Sequence, residues 1–161
     1  MTQMYPPPRQ TVLNAGRLWS GGVATALVAA LIAVVGVLVG RGLFDVAVLA
    51  PQGAGVWGDA STFWYALGAA GAALAATGLM HVLLLTTPRP MRFFGWLVAL
   101  GTVAAMLAPF VSDNDLGPRL FTAGLNLVIG VAIGSLIAGT ARAATRPVPQ
   151  SAVRPAPRPY P

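Results

Sequence analysis

The chain has 161 residues, 56% apolar and only 9% charged, where a soluble domain carries about 25% charged residues. So few charges cannot cover a water-exposed fold, and the composition points to an integral membrane protein. Cysteine is absent, which excludes disulfides, thiolate metal sites and thiol nucleophiles. The net charge of +6 is carried by arginine against aspartate, without lysine or glutamate.

Residues 1–16 form a polar lead containing Pro6-Pro7-Pro8 and Arg9. Proline removes donors and little here can be buried, so an extended or disordered cytoplasmic segment is expected. The first spanning helix is expected over 18–40, with Arg17 and Trp19 at its starting interface. Its apolar run exceeds the 7–15 residues of a signal-peptide core, which argues against cleavage. Gly36 and Gly40 form a small-xxx-small pair near its far end.

The stretch from Arg41 to Thr62 reads as the longest loop, with Asp59, Ser61 and Thr62 as candidate helix caps. Trp57, Trp64 and Tyr65 suit an aromatic belt. The second span, 63–87, is dense in Ala and Gly in its first half and carries His81 in its last third. Pro88-Arg89-Pro90-Met91-Arg92 ends it. The third span, 93–112, starts on Phe93, Phe94 and Trp96 and has Pro109 in its last turn.

The fourth span, 120–141, follows Asp115 and Pro118. Asn126, Gly130, Gly134 and Ala138 recur at every fourth position. On a helix they form a shallow groove with an amide at one end, which invites close approach of another helix. Residues 143–161 are a Pro/Arg-rich tail, expected to be polyproline-like or disordered and cytoplasmic.

The expected fold is thus all-α, a bundle of four transmembrane helices within 17–142. Placing the N-terminus inside puts eight of ten arginines, Arg17, Arg89, Arg92, Arg142 and Arg146 among them, on the cytoplasmic side. Arg41, Arg119 and all four aspartates then lie outside. This orientation places both termini in the cytoplasm of a cell with a plasma membrane. The arginines suit anionic lipid headgroups. Nucleic acid is not an expected partner, because the tails lack interleaved aromatics for base stacking.

No span has an internal Asp, Glu, Lys or Arg, which argues against a proton-coupled transporter built on a buried carboxylate. His81 has no second metal ligand on its side of the membrane. Asn126 reads as helix–helix glue, towards the outside, while His81 lies towards the inside. No nucleophile elbow, P-loop, HExxH or dinucleotide fingerprint is present. No cofactor, metal or catalytic residue is expected.

Several stretches carry a resemblance: Arg17-Leu18-Trp19-Ser20-Gly21-Gly22, Trp57-Gly58-Asp59-Ala60, and His81 followed by Leu83-Leu84-Leu85-Thr86-Thr87-Pro88-Arg89-Pro90. Arg92-Phe93-Phe94-Gly95-Trp96 and Asn126-Leu127-Val128-Ile129-Gly130 complete it. Together they resemble a family of uncharacterised four-helix membrane proteins from actinobacteria, a domain of unknown function. The resemblance implies a topology and no activity. The expected role is a non-enzymatic helix-packing accessory or scaffold subunit, self-associating or joined to a membrane partner. The alternative is a transporter of a small neutral or lipidic solute along a path near His81 and Asn126.

Overall fold

A computed structural model describes residues 14–51, 57–59, 61–111 and 113–145. Helix α1 is Ala15–Leu43, α2 is Thr62–Thr86, α3 is Pro90–Leu107 and α4 is Leu116–Ala144. A 3₁₀ turn, Ala108–Val111, extends α3. All four helices are long and apolar enough to cross a membrane.

Helices α1 and α2 start on local side-chain hydrogen bonds. Asn14 Oδ1 accepts from the Arg17 amide at 3.0 Å, and Ser61 Oγ accepts from the Trp64 amide at 3.4 Å. Pro90 opens α3 at a position that needs no donor. Asp115 caps α4 without a side-chain bond. The caps place α1 and α4 a few residues beyond the expected spans, so residues 15–16 and 143–144 are helical. The expectations for the lead before residue 14 and the tail after Thr145, Arg146 included, lie outside the described residues.

The connection from α1 to α2 corrects the loop expectation. Strand β1, Leu49–Pro51, pairs antiparallel with β2, Trp57–Asp59, with Ala50 opposite Gly58. Asp45 takes a left-handed backbone (φ 51°), and the Val46 amide donates to the Gly40 carbonyl at 2.8 Å. That reversal folds the chain back over the bundle end. Val48 and Leu49 are buried there, and the Leu49 amide donates to Thr122 Oγ1 at 3.0 Å. Burial of two apolar side chains and a long-range bond gives this segment a fixed place that alternation alone did not reveal.

In the bundle, α1 packs along α2 and α4, and α3 packs along α4. Glycines set the seams. A Cβ on Gly21 would collide with Thr140, one on Gly36 with Leu125, and one on Gly40 would lie 2.8 Å from Phe121. The partners on α4 retreat in step as α1 advances, which defines an antiparallel seam. Gly22 meets Thr77 of α2 in the same way.

Small side chains line the α1–α2 contact, Ala26, Ala29 and Ala33 of α1 with Ala69 and Ala73 of α2, while α4 buries Leu125, Ile129, Ile133 and Ile137 and α3 buries Phe94. Other large ones point outward, such as Leu27 (63% exposed) on α1 and Leu100 (62%) on α3. Large apolar side chains facing outward suit a hydrocarbon solvent. Lipid supplies no hydrophobic force between helices, so close backbone approach must hold them.

Candidate functional site

The groove of α4 is filled from within the chain. A Cβ on Gly130 would strike the Thr102 side chain, and one on Gly134 would sit 2.9 Å from Val98 Cγ1. Asn126 Nδ2 donates to the Ala105 carbonyl at 2.7 Å. Thus Asn126, Gly130 and Gly134 receive Ala105, Thr102 and Val98 of α3 in antiparallel order. Ala138, next along the groove, is half-buried. Gly36 and Gly40 are likewise engaged by α4. The small-residue faces expected to draw a partner are used inside this bundle.

Asn126 has a second partner that sequence reasoning missed. The Tyr65 hydroxyl donates to Asn126 Oδ1 at 2.6 Å. The Ala105 carbonyl can only accept, so Asn126 must present its nitrogen there and its oxygen to Tyr65. One side chain therefore ties α2, α3 and α4 together. Tyr65 was read as part of an aromatic belt, and its spacing from Asn126 along the chain gave no signal of the contact.

One seam stays open. Helices α2 and α3 meet sparingly, and between them lies a cleft of about 960 Å³. Its floor is Asn126, Ile129, Gly130 and Ile133 of α4. Its α2 wall includes Gly68, Ala72, Ala75 and Leu79, and its α3 wall includes Leu97, Gly101 and Ala105. Gly68, Ala72, Ala75, Leu79 and Gly101 are exposed, so the cleft opens sideways along the bundle. Leu49 and Ala50 of β1 close over one end, beside Ser61, Trp64 and Tyr65. Among the described residues no Asp, Glu, Lys, Arg or His lines it. Its volume falls within the range of about 300–1,000 Å³ typical of ligand sites.

His81 does not line this cleft. It sits near the opposite end of α2, its ring 6.4 Å from that of Trp19 and tilted by 48°. Its Nδ1 is buried without a hydrogen-bond partner. His81 and Asn126 are therefore not brought together. Among the described residues no cluster of His, Cys, Asp and Glu could hold a metal.

Arg17, Arg89, Arg92 and Arg142 are all exposed. Antiparallel packing gathers them at the end where the Asn14 amide donates to the Ala144 carbonyl at 3.3 Å. Arg41, Arg119, Asp45, Asp113 and Asp115 belong to the hairpin end.

Residues 13–143 match a family described as Family of unknown function (DUF6069). The chain belongs to that family. The match covers the four helices of this DUF6069 protein except the last residue of α4, Ala144, and with them the cleft and the Tyr65–Asn126–Ala105 bridge. No curated protein and no solved structure matches the chain.

Proposed function

We propose that this DUF6069 member is a non-enzymatic multi-pass protein of the plasma membrane that holds an uncharged, lipid-like guest in the α2–α3 cleft. One observation carries the reading. The seams α1–α2, α1–α4 and α3–α4 are closed by glycine-to-side-chain contacts, while the seam between α2 and α3 is open, uncharged and exposed along its length. A guest arriving from the bilayer needs no aqueous entry. The absence of lysine and the Ala/Gly/Val/Leu/Arg-rich usage fit a high-GC bacterial source, and the family resemblance adds an actinobacterial one.

The arginine-rich end faces the cytoplasm in this proposal, with both chain ends inside and Arg17, Arg89, Arg92 and Arg142 against anionic headgroups. The hairpin and the closed end of the cleft then face outward.

The test is native mass spectrometry on protein extracted in mild detergent. The wild type should retain a small-molecule adduct that Gly101→Leu loses, because the leucine fills the cleft. No adduct, or an equal adduct on both proteins, refutes the reading.

A second reading keeps the accessory-subunit role. The small residues Gly68, Ala72 and Gly101 leave room for one foreign helix. Ala72→Cys with a short cross-linker discriminates, since a protein adduct in the membrane supports the helix and a lipid adduct supports the guest.

A further inference from the structure

We infer that the guest is an amphiphile with an uncharged hydroxyl-bearing head, seated head outward against Tyr65 and Asn126. This rests on the proposal that the α2–α3 cleft is a binding site, and it adds the chemistry and orientation of what binds.

The hydrogen-bonding groups of the cleft are gathered towards one end. Ser61, Tyr65 and Asn126 lie there with Thr102 next to them, and the remaining wall is Gly, Ala, Leu, Val and Ile apart from Trp64. Their bonding is incomplete by valence. Asn126 uses one amide hydrogen on Ala105 and one oxygen lone pair on Tyr65. A second hydrogen and a second lone pair remain. The Tyr65 oxygen donates and can still accept, and Thr102 donates to the Val98 carbonyl at 2.8 Å and can also accept. The site thus offers one amide donor among several acceptors, which matches a hydroxyl group that both accepts and donates.

Charge is excluded by the surroundings. Among the described residues no cationic side chain lines the cleft to meet a carboxylate or phosphate, and Leu49 and Ala50 of β1 border the polar end. An ionised head seated against Tyr65 and Asn126 would lose part of its water without gaining a counter-charge, which is unfavourable.

Length sets how far an acyl chain reaches. The α3 wall from Leu97 to Ala108 rises about 17 Å at 1.5 Å per residue. Half of a hydrocarbon core of roughly 30 Å is about 15 Å, so the wall spans one leaflet. A chain hanging from the Tyr65–Asn126 end reaches the middle of the bilayer along the Gly68, Ala72, Ala75 and Gly101 surface.

The experiment uses Trp64, which lines the cleft, as reporter. In the full chain carrying Trp19→Phe, Trp57→Phe and Trp96→Phe, three brominated-chain probes are titrated in detergent micelles. They are a monoacylglycerol, the matching ionised fatty acid and the matching bromoalkane. The monoacylglycerol should quench at concentrations about tenfold below either of the others, since one well-made hydrogen bond is worth roughly that factor. Gly101→Leu should abolish saturable quenching by every probe. Tyr65→Phe, with helical content checked by circular dichroism, should bring the monoacylglycerol to the level of the bromoalkane. Equal quenching by monoacylglycerol and bromoalkane in the parent overturns the head assignment and leaves the cleft reading standing. Quenching strongest with the fatty acid overturns the exclusion of charge. No saturable quenching by any probe, or quenching that Gly101→Leu leaves unchanged, overturns the cleft itself.

Discussion

Asn126 supplies the hydrogen bond that Pro109 cannot. In a continuous helix the Ala105 carbonyl would accept from the amide four residues on, and that residue is Pro109, which has none. The Asn126 amide occupies the vacated acceptor at 2.7 Å. A proline that ends α3 and an asparagine in α4 are thereby complementary, and Tyr65 adds α2 to the same junction.

This relationship makes a coupled prediction. Asn126→Leu should destabilise the bundle by about 0.5–2 kcal/mol, the range for interhelical hydrogen bonds in membranes. Pro109→Ala restores a donor to α3, so the double variant should lose less than the sum of the two single changes. Thermal melts in one detergent provide the cycle. Strict additivity would show that the two residues act independently.

Glycines divide into two classes with opposite expected effects. Gly130→Ala drives a methyl into Thr102 and Gly36→Ala drives one into Leu125, each costing about 1–3 kcal/mol as overpacking. Gly95 and Gly139 have nothing within 4 Å of a built Cβ. Alanine there should be neutral or should stabilise by up to about 1 kcal/mol through helix propensity. If melting temperatures fail to separate the two pairs, the seam assignment is wrong.

His81 should be dispensable to the fold and to guest binding. Its Nδ1 is buried without a partner, and an apolar residue of similar size removes that unmet group. His81→Leu should leave the melting temperature unchanged or raise it, with Trp64 quenching unaltered. A loss of quenching would return His81 to the binding path.

Orientation is testable on a cysteine-free background. Asp113→Cys should react with a membrane-impermeant maleimide on intact spheroplasts, whereas Arg89→Cys should react only after lysis. The reverse pattern would invert the proposed topology and move the closed end of the cleft to the cytoplasm.

The groove on α4 marks the boundary of what a one-dimensional pattern conveys. Asn126, Gly130 and Gly134 announce a face that admits close approach, because their spacing follows the helical turn. Which neighbour fills it is a separate matter. Helix α3 does so here, with Thr102 and Val98 seated on the glycines, and neither residue is distinctive in its own sequence context. The hairpin was illegible for a related reason. Three-residue strands have too little alternation to register, and their stability comes from contacts such as Leu49 to Thr122 across the chain.

From its sequence alone, this protein's four long apolar helices and their Gly-lined faces were determined, because uncharged stretches of that length favour a helix and the 3.6-residue turn assigns each side chain a face. The tertiary structure alone decided the pairing of α1 with α2 and α4, the Tyr65–Asn126–Ala105 bridge, and the cleft left between α2 and α3. Those depend on which surfaces meet, and several equally small surfaces were available until shape and hydrogen bonding chose among them.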